Sequence, residues 1–440
     1  VSPGPARTTD DRRGDWRRAA AWCLYDWANS AFPTVVTTFV FGAYFARAVA
    51  TDSVAGTAQW GYAISLSALA VAIAAPLMGA MADERGPVKP WLFVLNAVCV
   101  VATAGLFGVR PDPAYALFAL VLVGIANFAF ETAGVFYNAL LPRVAGPVYL
   151  GRVSGWGWGL GYAGGLTCLA VALLVLIRAD PPPFGLDSAA AEPVRATALL
   201  VAVWFAVFSA PLFLLVPDNP PGSTGRRITF RASLGGLSRT LRGLKWRMPV
   251  TRFLIAHMIY ADGLATLFAF GGIYAAGTFG MDFDELILFG IAINVTAGLG
   301  AVAFAWIDDW IGPRATILVA IGCLMPLSLA LVLVEGKTLF WAFALPLGIF
   351  VGPVQAASRT LMARIAPAGR TGEYFGLYAL SGKATAFVGP AVLAAVTQVT
   401  ASQRAGMATI LAFFAAGALV LAMVDDPKQR RTVSEPRKDD

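Results

Sequence analysis

Tyr25-Asp26-Trp27-Ala28-Asn29-Ser30-Ala31-Phe32-Pro33 opens an apolar run that continues to about Ala50. Roughly 20 helical residues cross a hydrocarbon core about 30 Å thick, so this run can span a bilayer. An aspartate, an asparagine and a proline inside such a helix all cost free energy. Charges placed there face a protein interior or a watery path. Pro33 has no N–H to donate to the carbonyl of Asn29, which leaves that oxygen for another group. At about 100° per residue, Asp26, Asn29, Ser30, Pro33, Thr37 and Tyr44 fall on one stripe. One face of the helix is expected to meet lipid or apolar neighbours, and the other to carry polar chemistry.

The composition of the whole chain agrees with a membrane setting. Of 440 residues, 58% are hydrophobic and 13% charged, and the mean hydropathy is +0.69. A soluble domain carries roughly 25% charged residues. A net charge of +7 and a pI near 9.4 raise the question of nucleic acid. Here the basic residues lie between apolar runs, so they are read as orientation signals and no nucleic acid is expected. Cys23, Cys99, Cys168 and Cys323 stand singly in apolar segments without metal-ligand spacing and are read as packing residues. No metal and no cofactor are expected. The first segment is too long for a signal peptide, carries Asp26 and lacks a small-x-small cleavage site.

Gly, Pro and charge breaks divide the apolar sequence into twelve candidate spans. Six lie near 20–50, 58–82, 90–109, 114–141, 152–177 and 197–216, and six near 250–276, 285–307, 315–334, 338–363, 372–398 and 406–424. The expected fold is all-α, with twelve transmembrane helices in two pseudo-symmetric six-helix bundles, 20–216 and 250–424. A basic linker, 217–249, joins them, and tails 1–19 and 425–440 flank them. With the N-terminus inside, the inner loops collect Arg12, Arg13, Arg17, Arg18, Arg85, Lys89, Arg143, Arg152, Arg226 through Arg252, Arg314, Arg364, Arg370, Lys428, Arg430 and Arg431. The outer loops hold only Arg47, Arg110, Arg178, Arg195, Lys337 and Arg404. This asymmetry predicts a multi-pass protein of the cell (inner) membrane with both termini cytoplasmic. Leu234, Leu237, Leu241 and Leu244 recur at helical spacing, so the linker is read as an amphipathic helix on the inner face.

The halves echo each other. Asn138-Ala139-Leu140-Leu141-Pro142-Arg143-Val144-Ala145 precedes Gly151-Arg152 and Gly155, and Arg359-Thr360-Leu361-Met362-Ala363-Arg364-Ile365-Ala366 precedes Gly372-Glu373 and Gly376 at a constant offset. Tyr25-Asp26 matches Tyr260-Ala261-Asp262, and the turn Asp83-Glu84-Arg85-Gly86-Pro87 matches Asp308-Asp309-Trp310-Ile311-Gly312-Pro313-Arg314. Four matches in the same order around one basic linker argue for duplication. Segments 1, 4, 7, 10 and 11 hold the buried polar groups, a pattern that suits a central cavity.

These features resemble the major facilitator superfamily. Tyr25–Pro33, Arg359 with Glu373-Tyr374-Phe375-Gly376-Leu377-Tyr378, and Ser381-Gly382-Lys383 with Gly389-Pro390 closely resemble one branch of it: the autophagy-related vacuolar amino-acid effluxers and their uncharacterised bacterial relatives. The resemblance implies a two-bundle transporter working by alternating access, with export of amino acids as the family's best-known activity. The superfamily's inner turn usually ends in several basic residues, whereas this one has Arg85, Pro87 and Lys89.

Asn127, Glu131, Gly134 and Asn138 share a stripe of segment 4, with Tyr137 beside it. Glu131 lies ~15 Å from the inner end, deep enough that burial penalises its charged form unless a cation is close. Glu131, Asp26 and its mate Asp262 are therefore expected to couple transport to protons, although a fixed ion pair is the competing role. Gln355 and Arg359 lie one turn apart in segment 10, and the arginine's planar fork suits a carboxylate on the solute or on Glu131 or Asp26. Snorkelling to the inner surface is the alternative for Arg359. Lys383 sits mid-span and requires a partner. Asn29, Asn127, Tyr137, Asn138, Gln355, Arg359 and Lys383 are expected to bind solute. Asp83, Arg85, Asp308, Arg314 and Glu373 are expected to form the gate. Asn294 is a weaker candidate, His257 is read as structural, and the glycines of 151–165 as a sliding surface for close helix packing. The expectation is a secondary transporter, not an enzyme, that moves a small polar solute such as an amino acid with protons as partner. The alternative is proton-driven efflux of drugs or metabolites, with Trp27, Phe130, Trp156 and Trp158 forming the pocket.

Overall fold

The computed structural model describes residues 9–218 and 230–425. Arg226, Arg227, Lys428, Arg430 and Arg431 lie outside the described residues. Every regular element among those described is helical, and twelve helices are long and apolar enough to cross a membrane. They are α1 (Asp15–Val49), α2 (Ser53–Arg85), α3 (Lys89–Gly108), α4 (Pro113–Val144), α5 (Leu150–Ile177), α6 (Glu192–Leu215), α7 (Pro249–Phe279), α8 (Asp284–Ile311), α9 (Pro313–Leu333), α10 (Lys337–Ile365), α11 (Thr371–Thr400) and α12 (Gln403–Ala422). The linker contributes one further helix, Phe230–Gly243. Twelve spans bring the start of α1 and the end of α12 to the same face, called here the termini face.

Local sequence sets the ends of these helices. Asp52 accepts hydrogen bonds from the backbone N–H of Val54 and Ala55 to start α2, and Asp282 with Glu285 forms a capping box at α8. The two repeated turns end α2 and α8 in the same way. Gly86 (φ 93°) and Gly312 (φ 92°) adopt positive φ values that other residues resist, and a proline follows each. Their N–H groups donate to Ala82 O and Asp308 O respectively, both at 2.9 Å.

α1 departs from ideal geometry where the sequence is least helical. Its α-helix runs to Asn29, and Phe32–Phe39 and Phe45–Val49 are π-helical. Val40 N accordingly bonds Val35 O, five residues back. Pro33 lies at the start of the first widened segment, and Thr37 Oγ1 donates to its carbonyl at 2.8 Å. The widening rotates the stripe expected from a uniform α-helix. Thr37 bonds the backbone, and Tyr44 is buried and donates to Val109 O at 3.0 Å. α11 is interrupted too, with helical segments Thr371–Lys383 and Val388–Thr400 on either side of a turn. Asp262 of α7 accepts from Gly389 N at 3.0 Å and so caps the second segment.

Within the first half, α1 packs on α5 and α6, α2 on α4, and α3 on α4 and α6. Within the second, α7 packs on α12, α8 on α10, and α9 on α10 and α12. The halves meet along α2–α11 and α5–α8. Glycines make these approaches possible. A Cβ at Gly155 would lie 2.6 Å from Ala301 O of α8, and one at Gly376 would lie 2.5 Å from Ala75 O of α2. These are the repeated glycines of the sequence, and α5 and α11 use them to touch the opposite half.

Gly155→Leu overpacks the α5–α8 seam, at a cost of about 1–3 kcal/mol. Its thermal unfolding midpoint in detergent is expected to fall by several degrees, whereas Gly146→Leu, where a Cβ meets open space, leaves the midpoint near that of the parent.

Candidate functional site

Arg359 leaves α10 and enters the first half. Its Nη1 donates to Asp26 Oδ2 at 2.9 Å, Nε to Ser154 Oγ at 2.9 Å and Nη2 to Ser154 O at 2.6 Å. The guanidinium lies 4.6 Å from the ring centroid of Trp22 and 5.6 Å from those of Tyr137 and Trp158. Arg359 is 4% exposed, so it does not snorkel. A buried guanidinium has five donors to satisfy, and this cage answers with a carboxylate, a hydroxyl, a carbonyl and aromatic faces. Tyr137 supports the cage by stacking on Trp22 and donating to Trp22 O at 3.0 Å.

A second ion pair joins the halves at α4 and α11, where Lys383 Nζ lies 2.6 Å from Glu131 Oε1. Both side chains are partly exposed, unlike the enclosed Asp26–Arg359 pair.

Towards the termini face, each half places a carboxylate on a helix N-terminus of the other. Asp83, near the end of α2, accepts from Gly372 N at 2.9 Å and Glu373 N at 2.7 Å at the start of α11. Asp309, near the end of α8, accepts from Gly151 N at 2.9 Å and pairs with Arg152 Nε at 3.0 Å at the start of α5. Unpaired N–H groups and the helix dipole both favour an anion there. Asp308, expected in the gate, is buried against the same turn, where a Cβ at Gly151 would lie 2.8 Å from its own Cβ.

The other expected gate residues have different partners. Arg85 lies over Trp91, 5.2 Å from its ring centroid. Arg314 donates to the carbonyls of Leu421 (3.3 Å) and Ala422 at the end of α12. Lys89 does the same at α6, donating to Phe213 O at 2.6 Å and Val216 O at 2.7 Å. These basic residues tie helices within a half. Glu373 pairs with Arg370 at 2.6 Å.

Above the Arg359 cage, on the side away from the termini, lies a cavity of about 690 Å³. Ser30, Pro33, Thr34 and Thr38 of α1, with Trp158 and Tyr162 of α5, form one wall. Phe268 of α7, Phe289 and Asn294 of α8, and Phe340 and Leu347 of α10 contribute to the facing wall. The chamber is mostly apolar with a polar edge.

None of the seven residues expected to bind solute lines this cavity. Arg359 and Tyr137 lie below it in the cage. Gln355 reaches its edge by accepting a 2.8 Å hydrogen bond from Tyr162 Oη. Lys383 is held by Glu131, and Asn127 donates to Ser67 at 2.9 Å. Asn29, half-buried, accepts from Ser30, and Asn138 is half-buried beside Tyr137. Asp262, the sequence mate of Asp26, stays in its own half on Gly389. Of the segments whose polar groups suggested a central cavity, α1, α7 and α10 contribute to this lining, while α5 and α8 stand where α4 and α11 were expected. Asn294, rated a weak candidate, does line the chamber. Thr34 and Thr38 were missed because the widened α1 brings them round in place of Thr37 and Tyr44. Of the aromatic set, Trp158 lines the cavity, Trp27 stacks on Trp204 and Phe130 packs against Phe32. His257 bonds Ser381 at 2.7 Å.

A family model described as "Vacuole effluxer Atg22 like" matches residues 15–434. The chain belongs to the Atg22-like vacuole effluxer family. It is 27% identical over 425 residues to the uncharacterized MFS-type transporter YxiO of Bacillus subtilis (strain 168), covering 95% of this chain and 97% of that one. It is 26% identical over 273 residues to autophagy-related protein 22-1 of Penicillium rubens, covering 56% of this chain and 44% of that one. The matched region thus spans less than half of the fungal relative. Among solved structures, the proton:xylose symporter XylE aligns with a TM-score of 0.72 at 13% identity, over 93% of this chain and 96% of that one. The human organic anion transporter MFSD10 (TETRAN) aligns at 0.69 and 16% identity, over 94% and 100%. At such identities the likeness concerns the fold, which is that of the major facilitator superfamily. This Atg22-like chain is a multi-pass membrane transporter, and its relatives are transporters rather than enzymes.

Arg359→Gln leaves the buried Asp26 carboxylate without its cation, at a cost of about 3–5 kcal/mol. The expected result is a marked fall in the detergent unfolding midpoint, partly recovered when Asp26→Asn accompanies Arg359→Gln. Strictly additive losses in that double-mutant cycle would show that the two side chains are not coupled.

Proposed function

We propose that this protein is a proton-coupled secondary transporter that moves a small amphipathic zwitterion, an amino acid with an apolar side chain, by alternating access. The observation that carries this reading is the cavity of about 690 Å³ above the caged Asp26–Arg359 pair, with a second acid–base pair, Glu131–Lys383, also crossing the halves. Its volume falls in the range of small-ligand sites, ~300–1,000 Å³. Phe268, Phe289 and Phe340 suit an apolar side chain, and Ser30, Thr34, Tyr162 and Asn294 suit its polar end. The family's description supports an effluxer, and the amino-acid class rests on the resemblance carried by the sequence motifs. The excess of basic residues in termini-side loops supports a cytoplasmic termini face, so the cavity faces outward in this arrangement.

In this proposal Glu131 is the proton site. Its carboxylate is partly exposed and accepts a hydrogen bond from Lys383. Protonation removes its charge, frees Lys383 and loosens one of the ties between halves. Asp26 is enclosed and pairs with an arginine already held by Ser154, which suits the firmer latch. Asp262 caps a helix segment and serves as a structural anchor. As the termini face opens, Arg359, Lys383 and Gln355 become available to the carboxylate of the solute, while Asp83 and Asp309 leave their helix ends. The apolar walls also favour a second reading, proton-driven efflux of amphipathic compounds.

Flux of radiolabelled leucine and phenylalanine in proteoliposomes tests the choice. Amino-acid flux driven by a pH gradient is expected, and Glu131→Gln abolishes the coupled flux while sparing exchange. Robust dye efflux without amino-acid flux would replace the first reading with the second, and unchanged coupling would remove Glu131 from the mechanism.

A further inference from the structure

A second and larger hollow, about 980 Å³, lies beside the central cavity in the angle between α1, α5, α6 and α8. Its walls are almost wholly apolar, with Leu160, Leu166 and Leu299 among them. Leu160 and Leu299 are exposed in the isolated protein, as expected of a surface that meets lipid. On α5 the hollow runs from Trp156 to Leu166, a rise of ~15 Å. That is half of a hydrocarbon core about 30 Å thick, the depth of one leaflet.

The two ends of the hollow differ in chemistry. At the termini face it begins at Trp16 and Arg17. Trp16 lies 5.6 Å from Tyr149 and 5.7 Å from Trp156, and Trp156 lies 5.7 Å from Trp306, measured between ring centroids. Clustered tryptophan and tyrosine beside a basic residue is the chemistry of the headgroup level. At mid-membrane the hollow ends on Tyr162, Leu166 and Asn294, and these three residues also line the central cavity. The hollow and the cavity therefore share a wall only one side chain thick.

We propose that this hollow seats one phospholipid of the termini-side leaflet, with its phosphate at Arg17 and one acyl chain running up α5 and α8 to Tyr162 and Asn294. Length, apolar lining, aromatic rim and charge select this occupant together. A soluble peptide would not meet a groove that faces hydrocarbon, and a free fatty acid lacks the second chain that holds a phospholipid in its leaflet. The chain terminus backs the wall of the cavity where it is thinnest. The seated lipid thus completes the chamber on the side open to the bilayer, and bilayer composition reaches the solute site there. This inference does not depend on which solute is carried.

The test uses the full chain in liposomes that contain phosphatidylglycerol with a diazirine near the end of one acyl chain. After irradiation, adducts are mapped by mass spectrometry. Adducts are expected to concentrate on 156–166 and 294–302, above those on the exposed faces of α3 and α9. Leu160→Trp with Leu299→Trp fills the hollow and lowers those adducts about tenfold, the factor for roughly two methylenes denied burial. Arg17→Gln, at the rim, lowers them about fivefold, as expected for one basic residue at an anionic lipid surface. Labelling of α3 and α9 in the same sample is the internal reference and identifies a variant that has lost its fold. Adducts spread evenly over all lipid-facing helices, unchanged by either variant, would overturn the proposal and leave only ordinary solvating lipid.

Discussion

The Arg359 guanidinium is the contact on which the arrangement of the two halves depends. Lipid tails are as apolar as leucine, so apolar surface alone gives helices little reason to prefer one another over the bilayer. A buried charge does give a reason, because separation from its partners leaves it unsatisfied in a medium of low dielectric. Arg359 finds Asp26 on α1, Ser154 on α5 and aromatic faces from α1, α4 and α5. Three helices of one half are thus indexed to α10 of the other. The glycine run of α5 makes room for it: a Cβ at Gly157 would lie 2.5 Å from Asp26 Oδ2 and 3.0 Å from Arg359 Nη2.

The helix-end carboxylates extend this logic to the termini face. Asp83 on α11 and Asp309 on α5 are the same contact made twice, once in each direction. Each requires a glycine N–H at the first turn of the receiving helix and a second glycine one turn later that lets the backbones touch. The duplicated spacing Gly151…Gly155 and Gly372…Gly376 is therefore a packing requirement. Because the two contacts are paired by the duplication, opening one while keeping the other would tilt the halves against the α5–α8 or the α2–α11 seam. The arrangement favours their loss together.

Much of this was legible in the sequence, for physical reasons. Span length and hydropathy are set by the bilayer, so twelve segments could be read with ends close to those observed. Charges in apolar helices are expensive, and Asp26, Glu131, Arg359 and Lys383 could be singled out for that reason. Their pairing was not legible. Any of the acids could have met either base, and only the packing puts Asp26 on Arg359 and Glu131 on Lys383. The cavity lining was also hidden, since Phe268 or Phe289 reads the same whether it faces lipid or an apolar chamber. The π-helical stretch after Pro33 defeated the stripe drawn on α1, because that stripe assumed one period along its whole length.

An apolar chamber above a caged arginine has a consequence for how a solute and the ion pairs compete. While Asp26 and Ser154 satisfy Arg359, the floor offers little to a carboxylate, and the phenylalanine walls select for apolar surface. A zwitterion entering from the far face would gain from burying its side chain and lose by desolvating its charges. That loss is offset only if Arg359 or Lys383 exchanges its protein partner for the solute carboxylate, a substitution of one charge-assisted contact for another. In the proposed function, such an exchange would weaken a tie between halves at the moment the site fills, so that occupancy and opening of the termini face would become one event. Protonation of Glu131 would work in the same direction, because it removes the competing anion from Lys383. In the proposed function, solute and proton would then act on the same pair of cross-half contacts, which is the differential interaction that any ligand-driven change of state requires.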